Sequence, residues 1–182
     1  MMWDLPTAIK IGDKEYKITN ECDYRVVLDA ICALNEPDYT DAEKIYTALW
    51  VFYEAEIPKE LTDVAVAEMY KIISCGEETN KTDNSPALMD WKHDFMQIAP
   101  PVSRVLGYDV RNPNQYTHWY TFVGGYQEIG ECQFRDIVAI RNKKQKGKKL
   151  EDWEQEFYRM HRKIVDLPFT VSDDEMAWIS ED

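Results

Sequence analysis

Three histidines, four cysteines and a few carboxylate pairs are the residues whose types could do chemistry in this chain. A catalytic or structural metal would call for histidines one helical turn apart, as in an HExxH pattern, or cysteines at CxxC spacing. His93, His118 and His161 each stand alone, and Cys22, Cys32, Cys75 and Cys132 lie far apart, so neither spacing occurs. The cysteines read as reduced core or surface thiols. Nucleophilic, phosphate-binding and dinucleotide chemistry would announce themselves as GxSxG, GxxxxGK or GxGxxG, and Gly124-Gly125 is far too short to count as any of these. His93 and Asp94 fall on the polar side of a helical pattern, which predicts exposure to solvent. Asp173-Asp174 is an acidic pair with no pocket predicted around it. The expectation is a non-enzymatic chain with no catalytic, metal or cofactor site.

One further cluster carries enough charge to hold a ligand: Lys143, Lys144, Lys146, Lys148 and Lys149, gathered around Gly147. An anion or nucleic-acid contact is the sharper reading of such a patch. No aromatic residue is interleaved to stack on a base, so a solvated loop between helices is preferred. The balance of the whole chain agrees, with 34 Asp and Glu against 21 Lys and Arg in 182 residues, a net charge of -13. That sign repels a phosphate backbone and disfavours nucleic acid as a partner. No basic stretch leads into an apolar run at the N-terminus, and no window approaches the roughly 18 apolar residues that span a bilayer. A cytoplasmic protein with no membrane partner is expected.

The elements that must position these groups are mostly helical. Ala8 to Ile11 and Glu15 to Ile18 alternate apolar and polar residues about Gly12-Asp13, the pattern of a hairpin burying Ile9, Ile11, Tyr16 and Ile18. So short a ribbon needs cover, and the helices that follow are preferred over a second subunit as its source. The first helix should begin near Asp23, with Tyr24, Val27, Leu28, Ile31 and Leu34 on one face, and end at Asn35 and Pro37. Thr40 with Glu43 forms a capping box that opens a second helix reaching about residue 54. This helix carries two apolar stripes, Ile45, Leu49 and Phe52 beside Tyr46, Trp50 and Tyr53. Such a helix is central to a core or touches another molecule, and the central position is favoured. Pro58 opens a third helix bearing Leu61, Ala65, Met69 and Ile72, with Gly76 as its stop.

Beyond the polar run EETNKTDNSP, helical spacing resumes at Trp91, Phe95, Ile98, Val102 and Val105. Pro100-Pro101 predicts a break or kink near Ala99. Asn112-Pro113 is the cleanest start signal, a capping side chain before a proline already at helical φ, followed by Tyr116, Trp119, Tyr120 and Val123. Gly124-Gly125 either ends that helix or admits a neighbouring backbone. A helix over about 131–142 presents Phe134, Ile137, Val138 and Arg141, and Leu150, Trp153, Phe157, Met160 and Ile164 then step by three and four as an a/d seam over two heptads. Past Pro168, Ser172 with Glu175 makes another capping box ahead of Met176, Trp178 and Ile179, either a frayed terminus or an amphipathic segment that docks elsewhere. The predicted fold is mostly α, about seven helices with a small N-terminal β-hairpin. It divides into a hairpin plus three-helix module (1–76), an exposed linker (77–87), an aromatic-rich helical module (88–167) and an acidic tail (168–182). Periodicity places Trp91, Phe95, Trp119 and Phe134 mainly in the core.

The order of DWKHDF (Asp90 onward), Gly107-Tyr108-Asp109, HWYTF (His118 onward) and FRDIVAIR (Phe134 onward) resembles the bacteriophage gene-product-fifteen family, as does the opening hairpin followed by a helix containing Tyr24-Arg25. The chain departs from that pattern at Pro100-Pro101, where the family runs an unbroken apolar helix, and at Tyr120-Thr121, where it often has Trp-Lys. The resemblance implies a product of the tail genes beside the tape measure gene, hence a tail assembly chaperone. Such a protein binds the tape measure protein and keeps it soluble in the host cytoplasm until tail tube subunits polymerise, then leaves before the virion is mature. The implied partners are the tape measure protein, a second copy of the chain and the tail tube protein. Covering a client takes apolar surface, and keeping the complex dispersed takes net charge. The candidate surfaces are Tyr46, Trp50 and Tyr53; Leu150, Trp153, Phe157, Met160 and Ile164; and Trp178 with Ile179. A structural tail or connector subunit, or a small helical regulator or enzyme, are the alternatives.

Overall fold

The opening alternation folds as a hairpin. In the computed structural model, which describes residues 4–77 and 87–168, β1 (Ala8–Ile11) pairs antiparallel with β2 (Lys14–Lys17), Ile9 opposite Tyr16. Gly12 makes the turn at φ +62, a left-handed conformation that costs glycine little. Ile9, Ile11, Tyr16 and Ile18 are all buried, and they join the main core formed with the helices of the same chain.

Helix α1 (Tyr24–Leu34) is capped by Asp23, whose carboxylate accepts from the Arg25 backbone N–H, and ends at Asn35. Just before it, Asn20, Glu21 and Cys22 all have positive φ, a left-handed turn that non-glycine residues adopt only when their surroundings compel it. The compulsion is visible. Tyr116 donates its hydroxyl to the Glu21 carbonyl at 2.8 Å, Cys22 is fully buried, and Asp23 bridges His118. Helix α2 (Asp41–Phe52) opens on the predicted capping box, with Thr40 and Glu43 exchanging side chain-to-backbone hydrogen bonds. A 3₁₀ turn at Lys59–Leu61 leads into α3 (Thr62–Ile73).

The central helix is α1, not α2 as the two-stripe pattern suggested. It touches α2, α4 (Trp91–Leu106) and α5 (Trp119–Gln127), and its Ala30 and Ala33 let neighbours come close. Tyr24 stacks on Phe122 with centroids 4.2 Å apart and faces Phe95 at 6.2 Å, and its hydroxyl donates to the Val110 carbonyl. Helix α2 buries only Ala48, Leu49 and Phe52, leaving Tyr46 and Trp50 66% and 71% exposed. A helix with aromatic residues on two sides can lie at the edge when only one side has a neighbour.

Two further expectations are corrected. Helix α4 runs unbroken through Pro100 and Pro101. Proline's φ suits a helix, and the cost is the lost donors to the carbonyls four residues earlier, about 3 kcal/mol each. Ile98, Ala99, Pro101 and Val102 are buried around the site, and burial of a large aliphatic side chain returns roughly 1.5–3 kcal/mol, so packing holds the helix together. Nor does Asn112-Pro113 start a helix: α5 begins at Trp119, capped by His118, whose Nδ1 accepts from the Tyr120 N–H. The Asn112 side chain accepts from the Asn114 N–H instead, closing a turn. The guanidinium of Arg25 donates to the loop carbonyls of Val110, Asn112 and Gln115 at 2.7, 2.8 and 3.2 Å, which holds this segment as a loop. The glycine pair does not end α5. A Cβ on Gly125 would lie 3.1 Å from Leu106 Cγ, so this glycine admits α4.

Helices α6 (Gln133–Gln145) and α7 (Asp152–Val165) pack together around a small cluster of Ile137, Ile140 and Val165.

Candidate protein-binding surface

The exposed side of α2 and the turn that follows it enclose a cleft of about 500 Å³. Tyr46 and Trp50 stand one turn apart on its α2 wall, and Ile57 and Thr62 belong to the opposite side, where the chain enters α3. Tyr53, the third residue of the predicted stripe, also lines the cleft but is only 3% exposed. It caps α2 in extended backbone, bridges Ile18 and donates its hydroxyl to the Ala65 carbonyl at 2.9 Å, and burial pushes that hydroxyl's pKa up. Tyr53 therefore forms a fixed wall while Tyr46 and Trp50 are the faces open to solvent. The charged residues lining the cleft are Glu54 and Glu56.

The second candidate surface divides in two. Leu150, Phe157 and Ile164, seven residues apart, are half-buried against Ile137, Ile140 and Val165. Trp153 and Met160, also seven apart, face outward at 50% and 63% exposure. The inner face of α7 is completed by Tyr158 and Val165, one position beyond Phe157 and Ile164, which rotates the Trp153–Met160 line out of the seam. Trp153 donates its indole N–H to Glu151 at 3.0 Å. Trp178 and Ile179 lie outside the described residues.

Ionic contacts, rather than a large apolar area, fasten α7. Asp94, expected on a solvated face, has no exposed surface; it forms a bidentate pair with Arg141 at 2.7 Å to each oxygen. Arg141 also donates to the carbonyls of Leu88, Ile164 and Val165 at 3.0, 2.8 and 2.6 Å, so all five of its N–H groups are used. One side chain thus joins the start of α4, the middle of α6 and the end of α7. His93 adds a ring-nitrogen contact to the Ile164 carbonyl at 3.2 Å. The lysine patch is split as well. Lys143 pairs with the buried Glu154 at 2.7 Å, and Lys144 pairs with Asp166 at 2.6 Å while lying over the Tyr158 ring. Burial alone would raise the Asp166 pKa, but hydrogen bonds from Lys144, Tyr158 and Arg162 outweigh it and hold the carboxyl below its usual range.

The chemistry-capable residues take structural places. His118 is buried, with Nδ1 capping α5 and Nε2 within 3.0 Å of the Pro6 carbonyl, so the neutral tautomer carrying its proton on Nε2 satisfies both contacts. The cysteines are free thiols, and burial pushes Cys22 up to about 12 and Cys75 up to about 11, away from the thiolate a nucleophile needs. Among the described residues no group of three or more His, Cys, Asp and Glu is placed to hold a metal ion, and no helix is long and apolar enough to cross a membrane.

Sequence spacing alone could find Tyr46 and Trp50; Glu54, Glu56 and Ile57 enter the cleft only because the chain turns back after α2. A family model described as Bacteriophage Gp15 protein matches residues 2–167. No curated protein and no solved structure matches the chain.

Proposed function

The chain belongs to the Bacteriophage Gp15 protein family, and on that premise we propose that it is a non-enzymatic tail assembly chaperone that binds the tape measure protein in the host cytoplasm. The observation that carries the reading is the exposed pair Tyr46 and Trp50 on the wall of a preformed cleft. Large aromatic residues that face water together mark a surface meant for another molecule. A net charge of -13 keeps such a complex dispersed while its apolar parts are covered. Self-association falls to the outer face of α7, where Trp153 and Met160 stand among charges of both signs, Glu156, Arg159 and Lys163.

The test is co-expression with a fragment of the tape measure protein. The fragment is expected in the soluble fraction and to copurify with this chain, and the chain is expected to be missing from purified particles on mass spectrometry. A fragment that stays insoluble beside abundant chaperone contradicts the role, and so does a stoichiometric amount of the chain in finished virions.

A further inference from the structure

We infer that the α2 cleft receives a cationic amphipathic segment, one that inserts a bulky apolar side chain between Trp50 and Ile57 and sets Lys or Arg against Glu54 and Glu56. This deepens the chaperone reading and rests on it.

Size comes first. A cleft of about 500 Å³ lies within the range of pockets that take a small ligand or a few large side chains, and Tyr53 and Leu49, both buried, give it a rigid floor. A segment that anchors one or two residues there and lies along α2 would use the Tyr46 and Trp50 faces, the helix-in-groove mode of recognition.

Charge then chooses among occupants. The cleft is lined by two carboxylates, Glu54 and Glu56, and by no Lys or Arg. Glu43 lies one turn before Tyr46 and two before Trp50, which extends the acidic edge along the exposed face of α2, whereas Lys44 projects from another side of the helix. A second copy would bring the same carboxylates and its own charge of -13 to the contact. The C-terminal segment of the chain carries Asp173, Asp174 and Glu175 beside Met176 and Trp178, and so has the same unfavourable sign. A cationic segment meets neither objection, and its Lys or Arg can also lie over the open ring faces of Tyr46 and Trp50.

The experiment uses the full chain and two dye-labelled helical peptides with identical apolar positions, one flanked by lysines and one by glutamates, followed by fluorescence polarisation. The lysine peptide is expected to bind at least about tenfold tighter than the glutamate peptide, with the gap narrowing as salt is raised. Trp50→Ala should weaken it on the order of tenfold, as loss of a central aromatic anchor does. Both residues of Glu54→Lys/Glu56→Lys lie on the cleft edge, so this double variant tests charge without touching the core, and it should abolish the preference for lysine. Equal binding of the two peptides, binding of neither, or unchanged affinity in both variants overturns the inference. So does a dimer of the wild-type chain, seen by sedimentation, that Trp50→Ala dissociates, because a second copy would then be the occupant. The same variants separate this inference from the chaperone role. If the tape measure fragment is kept soluble equally by wild type and both variants, the cleft assignment falls and the role stands. If the lysine peptide binds as expected while the fragment precipitates, the cleft assignment stands and the role falls.

Discussion

Around Tyr24 the molecule is held by rings. Phe122 stacks on Tyr24 and Phe95 lies 6.2 Å from it, Trp91 packs against Trp119, Phe122 and Tyr126, and the core around them is apolar apart from the Arg25 guanidinium over the Tyr24 ring. Around Arg141 the buried apolar cluster is small, Ile137, Ile140 and Val165, and charge does the fastening through one guanidinium with every donor in use and the lysine pairs that tie α6 to α7 and Asp166. The difference teaches where each exposed aromatic surface gets its support. Tyr46 and Trp50 project from a helix whose other side, Ala48, Leu49 and Phe52, is part of the ring-filled core. Trp153 and Met160 project from a helix whose attachment depends on ion pairs, and acid that protonates a paired carboxylate such as Asp166 weakens those while leaving apolar packing in place.

The largest way to break this contrast is Arg141→Met. It leaves the Asp94 carboxylate buried without its partner, and removal of one member of a buried pair costs about 3–5 kcal/mol. Hydrogen exchange should show the loss concentrated in α7 and the first turn of α4, with the amides around Tyr24 close to wild type. A uniform loss across the chain would mean that the two regions are one cooperative unit. The double variant Asp94→Leu/Arg141→Met should recover part of the stability, since an apolar replacement of both partners removes the unpaired charge while the carbonyls of Leu88, Ile164 and Val165 still lose their donor.

On the ring-filled side the matching substitution is Gly125→Val. Its Cβ would meet Leu106 Cγ at 3.1 Å and Val102 Cγ1 at 3.3 Å, and overpacking of this kind costs roughly 1–3 kcal/mol. The expected result in denaturant is a lower midpoint with a single transition and no selective exchange in α7.

Acid should act first on the charged side. The folded-state pKa of Asp166 is depressed, so its contribution is fully present above the unfolded carboxylate value of about 3.9 and is lost as pH falls through the lower, folded value. A pH titration followed by exchange or by NMR should therefore loosen α7 below about pH 4 before the ring-filled region responds. Simultaneous loss in both regions would remove the distinction. The smallest effect on stability is expected for Trp50→Ala, within about 0.5 kcal/mol of wild type in thermal melts, because most of that side chain already faces water.

The local signals of the fold were legible from the residues. The hairpin about Gly12, the helix start near Asp23, the Thr40–Glu43 capping box and the helices α6 and α7 depend on neighbours within a few positions, and all are in the structure, although Trp153 and Met160 of the predicted α7 seam face outward. What could not be read was set by partners distant in the chain. Asn112-Pro113 makes a good helix start until Arg25 takes the carbonyls of its loop. Asp94 belongs on a polar face until Arg141 comes to it from 47 positions away. The prolines of α4 would break a lone helix, but buried neighbours on both sides keep this one whole. The candidate surface divides along the same line. Tyr46 and Trp50 at helical spacing were visible, while the acidic edge of the cleft exists only because Glu54 to Ile57 turn back beside them.

The central claim is that the open aromatic wall of α2 exists to cover a client. The most direct measurement is the soluble yield of a co-expressed tape measure fragment with wild type and with the double variant Tyr46→Ala/Trp50→Ala, whose own fold circular dichroism should show unchanged. The account predicts a soluble, copurifying fragment with wild type and a precipitated one with the variant. Equal yields of soluble fragment from the two would contradict it.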